Sequence, residues 1–234
     1  FHVSVERGGT RLRPRAETVL RFDGAQALGR WPGEDGYPLL EWGLNWCVSS
    51  HCHQYLLVRG AVLERQGRAL LLPGPAGVGK STLAAGLAFV GGWRLLSDAI
   101  ALIEPQTGRV VPLPRPIELK NDSIGAIQAL APAASFGVSE HATPRGHFAY
   151  VRPPANPSPD AASVLPAWVA LTRYEPGEIA HMQPLGRPLA FMSVVENSLN
   201  YHVHARRGFA ALTSLIERCA CFHCTYSNLL EAVT

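Results

Sequence analysis

The chain has 234 residues, 47% hydrophobic and 17% charged, which is ample for one well-buried domain, whereas two full domains would each be small. Its 21 basic and 18 acidic side chains leave a net charge of +3 with no long block of one sign, so neither nucleic acid nor any other charged partner is indicated. No apolar run approaches the roughly 18 residues of a membrane span, the five cysteines form no evident disulfide framework, and the opening Phe1-His-Val-Ser-Val-Glu6 lacks the pattern of a secretory signal, so a reduced, cytoplasmic setting fits best.

Residues 1–38 are rich in Arg, Gly and Pro, with β-like pieces at Val3 to Val5 and Val19 to Phe22, and read as a small N-terminal β appendage. From 39 to 234 the pattern is that of one α/β domain. Leu40, Leu44, Cys47 and Val48 recur at helical spacing in 39–52. Three β-like runs follow, at 55–58, 61–65 and 69–72, with Gln66-Gly67 as a turn, and they feed a glycine-rich loop. A helix over 80–90 stops at Gly91-Gly92. Trp93 to Ser97 and Ile100 to Ile103 read as strand before the turn at 105–108, and 122–131 as helix. Four prolines make 151–159 an exposed irregular loop. Strands are expected at 167–174 and 178–182 around a Pro-Gly turn, then helices at 187–199 and 206–219, a strand near 222–226 and a helical tail.

The string Gly74, Pro75, Ala76, Gly77, Val78, Gly79, Lys80, Ser81 satisfies G-x-x-x-x-G-K-[ST], after an apolar strand and before an amphipathic helix, where the motif belongs. Glycines 74, 77 and 79 let backbone N–H groups turn inward on a phosphate, and the helix N-terminus adds partial positive charge. Lys80 would reach the β- and γ-phosphates and Ser81 a Mg²⁺ ion, with Thr82 completing the nucleotide-binding stretch. The expected ligands are ATP and Mg²⁺. Lysine occurs only at positions 80 and 120 in this arginine-rich chain, which favours a functional reading of the first.

Asp98 ends the next apolar run, and the strand it closes is expected to neighbour the strand that feeds the loop in a parallel sheet. Its carboxylate would then lie in the ligand crevice, able to hold Mg²⁺ or to accept the proton of an attacking hydroxyl. The alternative is a turn-forming Asp that opens the following strand. Lys120, Arg145 and Arg173 are candidates for stabilising phosphate charge, as phosphoryl transfer requires, with solvated surface cations as the alternative.

The succession from the loop through Trp93-Arg-Leu-Leu-Ser-Asp98 to Ile117-Glu-Leu-Lys120 resembles the catalytic core of HPr kinase/phosphorylase, whose fold is related to phosphoenolpyruvate carboxykinase. The strings Glu41-Trp-Gly-Leu-Asn-Trp-Cys47, Arg115-Pro-Ile-Glu-Leu-Lys-Asn-Asp-Ser-Ile124, Thr143-Pro-Arg-Gly146, Asn200-Tyr-His-Val203 and Tyr226-Ser-Asn-Leu229 are similar to the HPr-kinase-related kinases of group A. The resemblance implies a P-loop kinase core and phosphorylation of a serine hydroxyl on a protein or peptide, with a small carrier protein or a natural-product precursor peptide compatible as acceptor. It gives Asp98 the role of general base and metal partner, and makes Glu118 a further metal ligand, with an exposed strand glutamate as the alternative. Two positions depart from the family's pattern: Ala99 stands in place of a second Asp, and Arg59 in place of a His on the strand before the loop. Arg59 could hold Asp98 charged or contact phosphate. A nucleotide-binding regulatory protein and a kinase for a small hydroxylated metabolite are the other functions compatible with these residues, and a homo-oligomer is compatible with either.

Cys219, Cys221 and Cys224, and the group Cys47, His51, Cys52 and His53, are spaced poorly for zinc and read as packing thiols. His202 and His204 could touch substrate or serve packing.

Overall fold

The computed structural model describes residues 2–10, 13–137, 141–143, 146–155 and 162–234. Val3–Thr10 (β1) and Arg13–Phe22 (β2) pair antiparallel, and Asp23 and Gly24, with φ of 47° and 83°, turn the chain tightly into Ala25–Gln26 (β3). Trp31–Pro32 (β4) pairs with Glu17 and Thr18, farther back along β2. The helix Gly36–His51 (α1) follows and packs on this sheet, where a Cβ at Gly43 would collide with Leu20, so the glycine is what lets β2 come close. The chain divides into two compact units, residues 1–52 and 53–234, so α1 lies with the N-terminal sheet and the boundary falls after it rather than at residue 38.

The second unit is an α/β domain on a mixed sheet. Leu56–Arg65 (β5) turns at Gln66-Gly67 into Arg68–Pro73 (β6), and the two pair antiparallel. After the loop, Lys80–Phe89 (α2) leads to Arg94–Ser97 (β7) and Ile100–Ile103 (β8), which both run antiparallel to β5, with Val110–Val111 (β9) hairpinned onto β8. Ile117–Lys120 (β10), Asp122–Leu130 (α3), His141–Thr143 (β11) and Gly146–Val151 (β12) form a separate three-stranded sheet with a helix at its edge. Leu165–Tyr174 (β13) returns to the main sheet parallel to β6, followed by His181–Pro184 (β14), Arg187–Glu196 (α4), Tyr201–Arg218 (α5), Ala220–Tyr226 (β15) and Leu229–Val233 (α6).

The main sheet runs β14-β15-β13-β6-β5-β8-β9, with β7 on β5. One expectation is corrected here. The strands before the loop and before Asp98 are not neighbours in a parallel sheet: β5 lies between β6 and β7, antiparallel to both. Beyond the Pro-Gly turn, β15 takes the edge of β13 in parallel register and β14 adds to β15. Both faces of the sheet are covered. On one, Val58, Val62, Leu71 and Val169 pack against Ala190 and Val194 of α4 and Leu212 and Leu215 of α5. On the other, Ala61, Leu63 and Leu72 meet Leu83, Leu87, Ile124 and Ile127 of α2 and α3, with α6 alongside. Burial on both faces explains why β8 is an unbroken apolar run and why β5 is apolar on either side of the exposed Arg59. No described helix is long and apolar enough to cross a membrane.

Candidate functional site

The loop 74–79 leaves the carboxyl end of β6 and enters α2, whose first residue is Lys80. Gly77 and Gly79 hold φ of 87° and 93°, a region closed to most side chains. Gly79 has a second constraint: a Cβ there would lie 2.5 Å from Tyr226 Oη and 3.2 Å from Tyr174 Cβ. Pro75, Ala76 and Gly77 are exposed, Val78, Ser81 and Thr82 are half-buried, and Gly74 and Lys80 are buried. The Lys80 ammonium folds back to donate to the Pro75 carbonyl.

Across β5 lies the carboxylate side. Because β6 and β7 both run antiparallel to β5, their ends lie at the same edge, and one dipeptide of β5 reaches both: Gly74 N–H donates to the Arg59 carbonyl at 3.2 Å, and Gly60 N–H to the Ala99 carbonyl at 3.0 Å. Asp98 therefore faces the start of α2. Ser81 Oγ donates to Asp98 Oδ1 at 3.0 Å, and the Glu118 N–H makes a long 3.4 Å contact with Oδ2. Glu118 itself is held by Lys120 Nζ at 2.7 Å and by Tyr150 Oη, which donates to it at 3.1 Å from the paired position on β12.

Burial sets the electrostatics. Asp98 is only 8% exposed, and loss of water pushes its carboxyl above the usual range, helped by the negative charge of Glu118 and opposed by the Ser81 hydroxyl and the Ala99 and Glu118 N–H groups. Burial likewise lowers Lys80, with Asp98 pulling the other way and the charges of Arg59 and Lys120 adding to the decrease. Arg59 is exposed and its charge acts on Lys80, and among the described contacts none joins it to the Asp98 carboxylate.

Of the residues singled out from sequence, Lys80, Ser81, Asp98, Glu118 and Lys120 converge on one edge. Arg173 is exposed at the end of β13 and pairs with Glu175 at 3.1 Å; among the described contacts none joins it to Ser81 or Asp98. Arg145 lies outside the described residues. His204 is tied up in packing, where its Nε2 and the Asn200 amide both meet the Tyr55 carbonyl, and Asn200 Oδ1 accepts the Leu57 N–H. All five cysteines are free thiols, and burial pushes Cys219 up to about 12 and raises Cys221 and Cys224. Among the described residues no group of three or more His, Cys, Asp or Glu could hold a metal.

Tyr226, Tyr174, Tyr150 and Gly60 were not singled out for the site from sequence. Each is brought in by a strand pairing between distant segments; only the recurrence of Tyr at the ends of two apolar runs hinted at the first two. No protein-family model matches the chain, and no curated protein matches it.

Proposed function

We propose that the chain is an ATP-dependent kinase with a P-loop core of the HPr kinase and phosphoenolpyruvate carboxykinase type, transferring the γ-phosphate to a serine hydroxyl of a protein or peptide. The observation that carries this reading is the pair Ser81–Asp98: a buried carboxylate with raised proton affinity, bonded to the hydroxyl of the phosphate-loop serine. Holding Mg²⁺ calls for such a carboxylate too; the raised proton affinity is what favours its use as a base. A base of raised pKa can take a proton from an alcohol far better than an exposed Asp.

In this reading the N–H groups of the loop and Lys80 bind the triphosphate. Asp98 takes the acceptor proton as the acceptor oxygen bonds to the γ-phosphorus; the bond from that phosphorus to the β–γ bridging oxygen breaks, and ADP leaves with the electron pair. Mg²⁺, when bound, would be held by Ser81 and Asp98 with Glu118 beside them, and would neutralise charge on the phosphates. Two carboxylates and a hydroxyl fit an ion that takes most of its remaining ligands from water and phosphate. Lys120 and Arg59 offer positive charge around Lys80.

The test is incubation of the whole chain with Mg²⁺ and γ-labelled ATP, alone and with serine-containing peptides and small carrier proteins. Label on a serine is the expected result. Label in a small hydroxylated molecule would redirect the reading to a metabolite kinase, and ATP held but never consumed would leave a nucleotide-binding regulatory protein.

A further inference from the structure

The two residues that crowd Gly79 also hold the loop by hydrogen bonds. Tyr226, at the end of β15, donates from Oη to the Gly79 carbonyl at 2.8 Å, and the Tyr174 N–H at the end of β13 donates to the Val78 carbonyl at 3.2 Å. In a trans peptide the C=O and N–H point to opposite sides. Fixing these two carbonyls toward β13 and β15 therefore aims the N–H groups of Gly79 and Lys80 the other way. Those are donors that a helix start offers to an anion.

The Tyr226 hydroxyl is not needed to make α2. The Gly79 carbonyl already accepts the Leu83 N–H at 2.9 Å, so Tyr226 adds a second bond to an oxygen that the helix has satisfied. The tyrosine is 1% exposed and its ring meets Tyr174 edge-on with centroids 5.7 Å apart, which leaves the hydroxyl little freedom to turn elsewhere. Burial also raises its pKa, so the oxygen stays a donor.

We infer that Tyr226 is a positioning residue for the phosphate chain: its hydroxyl locks the Gly79–Lys80 peptide with the Lys80 N–H turned toward the bound phosphates. This rests on the reading that the loop takes a triphosphate. The recognised chemistry is polyphosphate alone, so the nucleoside makes no difference to the effect.

The whole chain is titrated calorimetrically with ATP and, separately, with inorganic tripolyphosphate, as wild type, Tyr226→Phe, Tyr226→Leu and Leu215→Ala; thermal midpoints are measured alongside. Loss of one buried hydrogen bond predicts about a fivefold to tenfold weaker Kd for both ligands in Tyr226→Phe. Leu215→Ala, which opens the opposite core, should lower the midpoint and leave both affinities in place. Wild-type affinity in Tyr226→Phe with loss only in Tyr226→Leu overturns the inference, since ring packing would then be the whole effect. So does an equal loss in Leu215→Ala, which would reduce the effect to stability. If the wild type binds neither ligand, the triphosphate reading itself falls and takes this inference with it.

Discussion

On the phosphate-loop side of the site the left-handed backbone is carried by glycine, with φ of 87° at Gly77 and 93° at Gly79; on the carboxylate side it is carried by Ala99 at 75° and Asn121 at 50°. Glycine adopts such angles without steric cost, whereas Ala pays for the contact between its Cβ and the backbone. The loop is thus relaxed and the carboxylate turn strained. What keeps the turn in place is the surroundings: the Gly60 N–H on the Ala99 carbonyl, and the bonds that Asp98 receives from Ser81 and Glu118. Strain of this kind collects where function over-determines the backbone. It also explains why one half of the site carries a recognisable motif and the other half does not.

Replacing the carboxylate tests the strained side most severely. Asp98→Asn should lower phosphate transfer about 1,000-fold, the scale of a lost general base. The same variant has a pH signature. Burial raises the folded-state pKa of Asp98, so the folded chain holds its proton better than the unfolded one, and stability from this group falls as pH rises from the usual carboxylate range through the raised value. The variant should therefore melt higher than wild type at neutral pH, with the advantage shrinking in acid; melts that keep a constant gap would remove the buried-carboxylate account.

Gly79→Ala tests the relaxed side. It sets a Cβ 2.5 Å from Tyr226 Oη at a φ of 93°, and should cost about 2 kcal/mol in urea unfolding and abolish nucleotide binding. Ala99→Gly sharpens the comparison in the opposite direction: relief of the left-handed strain, less the greater entropy of glycine in the unfolded chain, should stabilise by about 0.5 kcal/mol. If the variant is destabilised, the turn is not strained and the contrast fails. The smallest effect is expected at Arg173→Ala, within about 0.5 kcal/mol and twofold in transfer rate, because an exposed pair with Glu175 contributes little. A large fall in rate would return Arg173 to the site.

The parts legible in the sequence were those written in local patterns. The loop, the helix behind it, the turn at Gln66-Gly67 and Asp98 at the end of β7 all follow from spacing within about one turn or one strand. Strand order did not follow. A helix between two strands argues for parallel neighbours, and nothing near Trp93 says that β7 will cross to the far side of β5. Tyr226 is the clearest case: its hydroxyl meets the loop only because β15 pairs with β13 and β13 with β6, registers fixed by packing across the whole sheet. β12 escaped for a similar reason, since its partner β10 lies on the far side of α3, and β11 pairs only with β12.

The dipeptide Arg59-Gly60 ties the first residue of the phosphate loop to the carboxylate turn through two hydrogen bonds from the central strand of a buried sheet. Surface loops open on fast timescales and must be ordered by what they bind; strands in the middle of a sheet open rarely and together. Gly74 and Ala99 are thereby anchored to a strand that opens only with its sheet. On the proposed reading, a triphosphate would meet a backbone already set at Gly74 and Ala99, and binding would reorient side chains such as Lys80.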